Sequence, residues 1–192
     1  MIRVKELEPE SPERTWTVDI KDLKGLAVVA VQDGQRLGEV SDVLLSPGDR
    51  RVVRLQISSG GLFSGRTTLV EMDAVSSVGP DAVMIPGRDA VRAESEESSR
   101  ALLNLREFTS LRVVSDQGRL VGTVAGAEVE TPSGRLATIE FAPVGLSGLF
   151  GRRQSIPIEQ VISIGRDVVV VPESAVQAEE PDTAETGGPV GR

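Results

Sequence analysis

The sequence predicts an all-β chain made of two tandem small β-barrels joined by a short polar linker. Two observations carry this. A set of short motifs recurs in order at an offset of 84 to 87 residues, and within each copy the apolar residues alternate with period two and are rich in valine and isoleucine.

The repeat begins at Leu37-Gly38-Glu39-Val40, answered by Val121-Gly122-Thr123-Val124 at an offset of 84. The same offset aligns Val53 to Ile57 with Ala137 to Phe141. At 87, Gly61-Leu62-Phe63 meets Gly148-Leu149-Phe150, and at 86, Val78 to Val83 meets Ile164 to Val169. Small shifts between ordered blocks are what loop insertions leave behind. Asp33-Gly34 and Gln117-Gly118 suit tight hairpins, because glycine accepts positive φ. Ser46-Pro47-Gly48-Asp49 and Thr131-Pro132-Ser133-Gly134 put proline at a turn between two further strands. The expected order is a flexible arm over 1–15, a barrel over 16–91, a linker over 92–103, a second barrel over 104–176 and a disordered acidic tail over 177–192. Trp16, the only tryptophan, is expected to pack against the first barrel rather than to serve as a ligand platform.

Composition narrows the chemistry. With no histidine and no cysteine, the commonest general base, the thiol nucleophile and nearly every zinc or iron–sulfur site are missing. The net charge of −8 lies mostly outside the repeats: residues 22–91 carry 7 basic and 9 acidic groups, and residues 104–176 carry 7 and 8. Near-neutral barrels lack the basic face that phosphate neutralisation requires, so nucleic acid is not an expected partner. The first ten residues have no secretory apolar core and no run reaches the roughly 20 residues of a membrane span, which gives the expectation of a soluble, cytoplasmic protein.

Three motifs invite chemistry. Gly60-Gly61-Leu62-Phe63-Ser64-Gly65-Arg66-Thr67 approaches a phosphate-binding loop, but arginine replaces its lysine and Thr68 to Met72 alternate like a strand where that motif needs a helix. Glu128 and Glu130, at i and i+2, share one strand face and could hold a hard cation; copy one does not repeat them, so a solvated sheet face is the expectation. The loop containing Leu62, Phe63 and Arg66, with its counterpart at Leu149, Phe150, Arg152 and Arg153, sets an apolar pair beside arginine on a glycine-flanked turn. That combination suits an anchor with a charged rim and makes these residues the candidate protein-interaction loops; plugging the barrel ends is the competing role.

The ordered landmarks Asp33 to Val40, Val53 to Ile57, Gly61-Leu62-Phe63 and Val75 to Val83, with Gly148 to Arg153 and Val161 to Val168 in the second copy, resemble the PRC-barrel family. That family includes the cytoplasmic part of the photosynthetic reaction-centre H subunit and the C-terminal domain of the bacterial ribosome-maturation factor. The resemblance implies a non-enzymatic protein-interaction module. Together with the duplication and the missing catalytic groups it gives the leading reading, an adaptor without cofactor or metal whose two barrels pack as a pseudo-symmetric pair and present a composite surface to a protein partner, a membrane-associated complex among the candidates; barrels that swing on the linker are equally compatible with the sequence. The resemblance also implies an alternative, an RNA-processing or ribosome-assembly accessory factor. A carboxylate enzyme using a divalent metal is the third reading.

Overall fold

The computed structural model of the chain describes residues 16–58, 68–93, 99–144 and 153–177. The expected N-terminal arm, and the expected tail beyond Gln177, lie outside the described residues. Copy one contains β1 (Trp16–Asp19), β2 (Ala27–Ala30), β3 (Arg36–Ser46), β4 (Arg51–Ser58), β5 (Thr68–Glu71), β6 (Ser77–Val78), β7 (Ala82–Ile85) and β8 (Val91–Ala93). Copy two contains β9 (Leu103–Asn104), helix α1 (Leu105–Ser110), β10 (Arg112–Ser115), β11 (Leu120–Thr131), β12 (Leu136–Pro143), β13 (Gln154–Pro157), β14 (Ser163–Ile164), β15 (Val168–Val171) and helix α2 (Glu173–Gln177). The all-β expectation holds, with two sheets ordered β6-β7-β2-β3-β4-β5-β8 and β13-β12-β11-β10-β15-β14. Each curls around its core, but no ladder joins its two end strands among the described residues, so the barrels stay open.

The sequence motifs have local causes. In the first hairpin the Ala30 and Gln35 main chains pair at 2.9 Å, and the Asp33 carboxylate accepts the Gln35 N–H at 3.0 Å. Ser115 and Arg119 close the second hairpin at 2.8 Å, with Gly34 and Gly118 both at positive φ. Gly38 and Gly122 exist for close approach: a Cβ on Gly38 would lie 2.5 Å from the Ser58 carbonyl oxygen, and one on Gly122 would overlap the Ala142 carbonyl oxygen. The repeated Leu/Val-Gly-x-Val motif therefore marks where β3 meets β4 and β11 meets β12 at the start of each long strand. Both ladders carry a bulge just beyond it, between Val40 and Asp42 and between Val124 and Gly126.

The long strands explain how the copies join. On the edge away from β4, β3 pairs with β2 over Arg36 to Glu39, which leaves its second half beyond the reach of its own copy. That half is taken by β9, with Leu44 opposite Asn104 and Leu45 opposite Leu103. The mirror arrangement holds in the other sheet. There β10 covers Leu120 to Thr123 of β11, and β1 covers the rest, from Asp19 opposite Glu128 to Trp16 opposite Thr131. Buried main-chain N–H and C=O groups need partners. Each copy supplies them to the other through the segment that precedes its own first hairpin.

The exchange is pseudo-two-fold, and its axis can be located. Arg51 forms an antiparallel bridge with Arg135, its own counterpart 84 residues on. Around it the Val52 N–H donates to the Gly134 carbonyl at 2.7 Å and the Leu136 N–H donates to the Arg50 carbonyl at 3.0 Å. The segments leading into the hairpins run inward to the core: Ile20 and Leu23 in copy one and Phe108 in copy two are all at most 1% exposed. Helix α1, which carries Phe108, is fixed by a capping box in which Asn104 accepts the Glu107 N–H and Glu107 accepts the Asn104 N–H, each at 2.9 Å. The buried side chains of both copies form one continuous hydrophobic core.

Trp16 corrects the sequence expectation. Its strand pairs with β11, so it belongs to the second sheet rather than packing on the first barrel, and it remains 40% exposed. The physical reason is the length of β11, whose far end has no other partner on that edge among the described residues.

Arg50 sits beside the axis at φ +51, the left-handed region, where its counterpart is Gly134 at φ +75. Its guanidinium crosses to copy two and donates to the carbonyls of Ile158 at 3.1 Å and Ile162 at 2.9 Å. Arg50→Ala, which loses both charge-assisted bonds and keeps the unfavourable φ, is expected to lower stability by about 1–3 kcal/mol. Arg50→Gly loses the same bonds but relieves the backbone, so thermal melts should rank it above Arg50→Ala. The reverse order would show that the left-handed backbone at Arg50 carries no strain, and parent-like melting of both variants would show that the cross-copy bonds contribute nothing.

Candidate interaction surface

β4 and β12 leave the pseudo-two-fold axis antiparallel to one another, from the Arg51–Arg135 bridge to Ser58 and to Pro143. Ser58 and Pro143, the ends of those strands, therefore lie on opposite sides of the axis. Leu62, Phe63, Arg66, Leu149, Phe150 and Arg152 themselves lie outside the described residues. Of the candidate loop residues only Arg153 is described. Its Nη1 donates to Glu140 Oε2 at 3.1 Å, with the arginine side chain half exposed.

Ion pairs hold part of the surface of both copies. Arg54 and Glu71, directly opposite on β4 and β5, are bridged at 2.9 Å. At the hairpin end of copy two, Arg119 meets Glu173 at 2.6 Å, and the Asp116 carboxylate accepts the Glu173 N–H at 2.9 Å, which pins the start of α2. Exposed apolar side chains are scattered at Val31, Leu120, Val144 and Ile162 in addition to Trp16.

The carboxylate pair on β11 is brought to one strand face as expected, with Glu128 exposed and Glu130 half-buried. Thr138 donates to Glu128 Oε2 at 3.3 Å from the neighbouring strand. Its counterpart in copy one, Leu44, is buried. Among the described residues no group of three or more histidine, cysteine, aspartate or glutamate side chains is placed to hold a metal ion, and no helix is long and apolar enough to cross a membrane.

A feature that sequence reasoning missed is an asymmetry of the sheet edges. In copy one the outer edge of β5 is covered by β8, with Val70 opposite Val91, Leu69 opposite Arg92 and Thr68 opposite Ala93. In copy two β13 ends its sheet among the described residues, and the chain after β15 forms α2. The signal was available in the repeat, where Ser155 stands at the position of Leu69 and Pro157 at that of Glu71. Leu69 is 4% exposed beneath its cover, whereas Ser155 is open to solvent.

Comparison with known proteins matches the architecture. The family model described as PRC-barrel domain matches residues 17–92 and, a second time, residues 102–178. No curated protein matches the chain.

Proposed function

The chain belongs to the PRC-barrel family and carries its domain twice, and on that premise we propose that it is a non-enzymatic adaptor, a rigid two-ended body that holds protein partners. The observation that carries this reading is the reciprocal exchange of β1 and β9, which fuses two near-neutral barrels about one axis. Fusion removes the freedom of two linked modules to reorient, so partners held at the two ends keep a fixed spacing, which lowers the ordering cost of a second contact. The Leu62-Phe63 and Leu149-Phe150 loops, with Arg66, Arg152 and Arg153 beside them, are the proposed anchors. The absence of histidine and cysteine supports binding over turnover. A cytoplasmic location is part of the proposal, and a membrane-associated complex is the first partner to seek.

The test is affinity capture of the crosslinked, tagged chain from its native cells, with membranes solubilised in detergent and half of the lysate treated with nuclease. The adaptor reading expects the same protein complex in both halves and its loss from a Phe63→Ala/Phe150→Ala variant. Ribosomal proteins that vanish on nuclease treatment would replace it with the RNA-linked role.

A further inference from the structure

We infer that the outer edge of β13 is a docking site for an extended peptide segment of another protein, which adds to the sheet as an antiparallel strand with a β-branched, then basic, then small residue. The inference rests on the binding-module reading and names one of its surfaces.

The chain contains its own template for this site. Gln154, Ser155 and Ile156 are the counterparts of Thr68, Leu69 and Val70, the three residues that β8 covers in copy one. The inner pairing is equivalent as well, since Ile139 lies opposite Ile156 as Leu55 lies opposite Val70. Among the described residues nothing pairs with the outward main-chain groups of Gln154 to Ile156. Proline commonly blunts an edge strand, yet Pro157 stands where Glu71 does, one step past the last residue that β8 pairs even in copy one. The edge is therefore stopped at one end and left open over the three-residue span that a short strand occupies.

The side-chain pattern follows from the neighbours. A residue opposite Ile156 takes the place of Val91, which packs against the core in copy one, so a β-branched side chain fits. A residue opposite Ser155 shares a sheet face with Glu140, which lies opposite Ser155 on β12. Because serine is short, a long basic side chain reaches past it towards the Glu140 carboxylate, which Arg153 already engages from its own end. The third residue, opposite Gln154, is small in the template. Val91-Arg92-Ala93 fits this pattern.

The test uses the isotope-labelled full-length chain and a synthetic peptide of residues 87–93, Gly-Arg-Asp-Ala-Val-Arg-Ala. The expected result is fast amide exchange at Ser155, whose main chain faces away from β12, in the free chain, and saturable amide shifts concentrated there and at Glu140 when peptide is added. A peptide N-methylated at its last three residues should bind about tenfold more weakly or worse, because the strand hydrogen bonds are lost. Equal binding of the two peptides, shifts confined to Thr68 to Val70 through displacement of β8, or no shifts at all would overturn the inference. So would slow exchange at Ser155 in the free chain, which would mean that the chain's own residues 178–192 or a second copy already cover the edge. If peptide binding fails while partner capture persists, the edge proposal falls and the adaptor reading stands.

Discussion

Gly134→Ala is expected to destabilise the whole chain by roughly 2–4 kcal/mol, combining left-handed backbone strain with overpacking. Gly134 holds φ +75, and an added Cβ would overlap the Val52 carbonyl oxygen and come 2.8 Å from Met72 Cγ. Both obstacles belong to the other copy. One is the residue whose N–H binds the Gly134 carbonyl, and the other is fully buried. Neither can retreat without parting the strands at the pseudo-two-fold axis, so the substitution strains the joint rather than a turn. Gly48→Ala is the control. It sits in the matching turn of copy one with nothing within 4 Å of an added Cβ, and should change stability by less than about 0.5 kcal/mol. Chemical denaturation of the two variants checks the pair. Equal effects would show that the copies do not press on each other at Gly134.

Phe108→Ala is expected to lower stability by about 3–5 kcal/mol, the range for deleting a large, fully buried side chain whose surroundings cannot collapse into the space. Phe108 is 0% exposed on α1, immediately after β9 has paired with the first sheet. It belongs to copy two by sequence and to a core shared by both copies by packing. Its loss should therefore lower the unfolding midpoint of copy one as much as that of copy two, as followed by amide exchange at Val43 and Leu55 against Val129 and Ile139. Protection lost in copy two alone would separate the cores.

The duplication, the all-β class and the turns at Asp33-Gly34 and Gln117-Gly118 were legible because each rests on local chemistry: alternation of apolar residues, and glycine where φ is positive. Which sheet a strand joins is not local. Thr17-Val18-Asp19 and Leu102-Leu103-Asn104 carry no local mark of the copy they serve, and only the second halves of β3 and β11 decide it. Trp16 was misplaced for that reason. A hint was present, since Val18-Asp19-Ile20 and Leu103-Asn104-Leu105 extend the repeat upstream of the first hairpins at an offset of 85. A matched segment ahead of the hairpin in both copies implies a structural role in both. The difference between the edges of β5 and β13 was legible in principle, from serine and proline replacing Leu69 and Glu71 in otherwise matched strands. Of the loop residues singled out from sequence, the described part of the chain shows only Arg153, which meets Glu140.

The interlocking of the two copies into one folding unit is tested most directly by equilibrium unfolding in denaturant, read by Trp16 fluorescence and by far-UV circular dichroism on the parent chain and on Phe108→Ala. Trp16 comes from the copy-one sequence and reports from the copy-two sheet. Both signals should give one transition with a common midpoint, and Phe108→Ala should move that transition as a whole. A Phe108→Ala curve split into two steps, with half of the dichroism lost at the parent midpoint, would contradict it and leave two separate barrels.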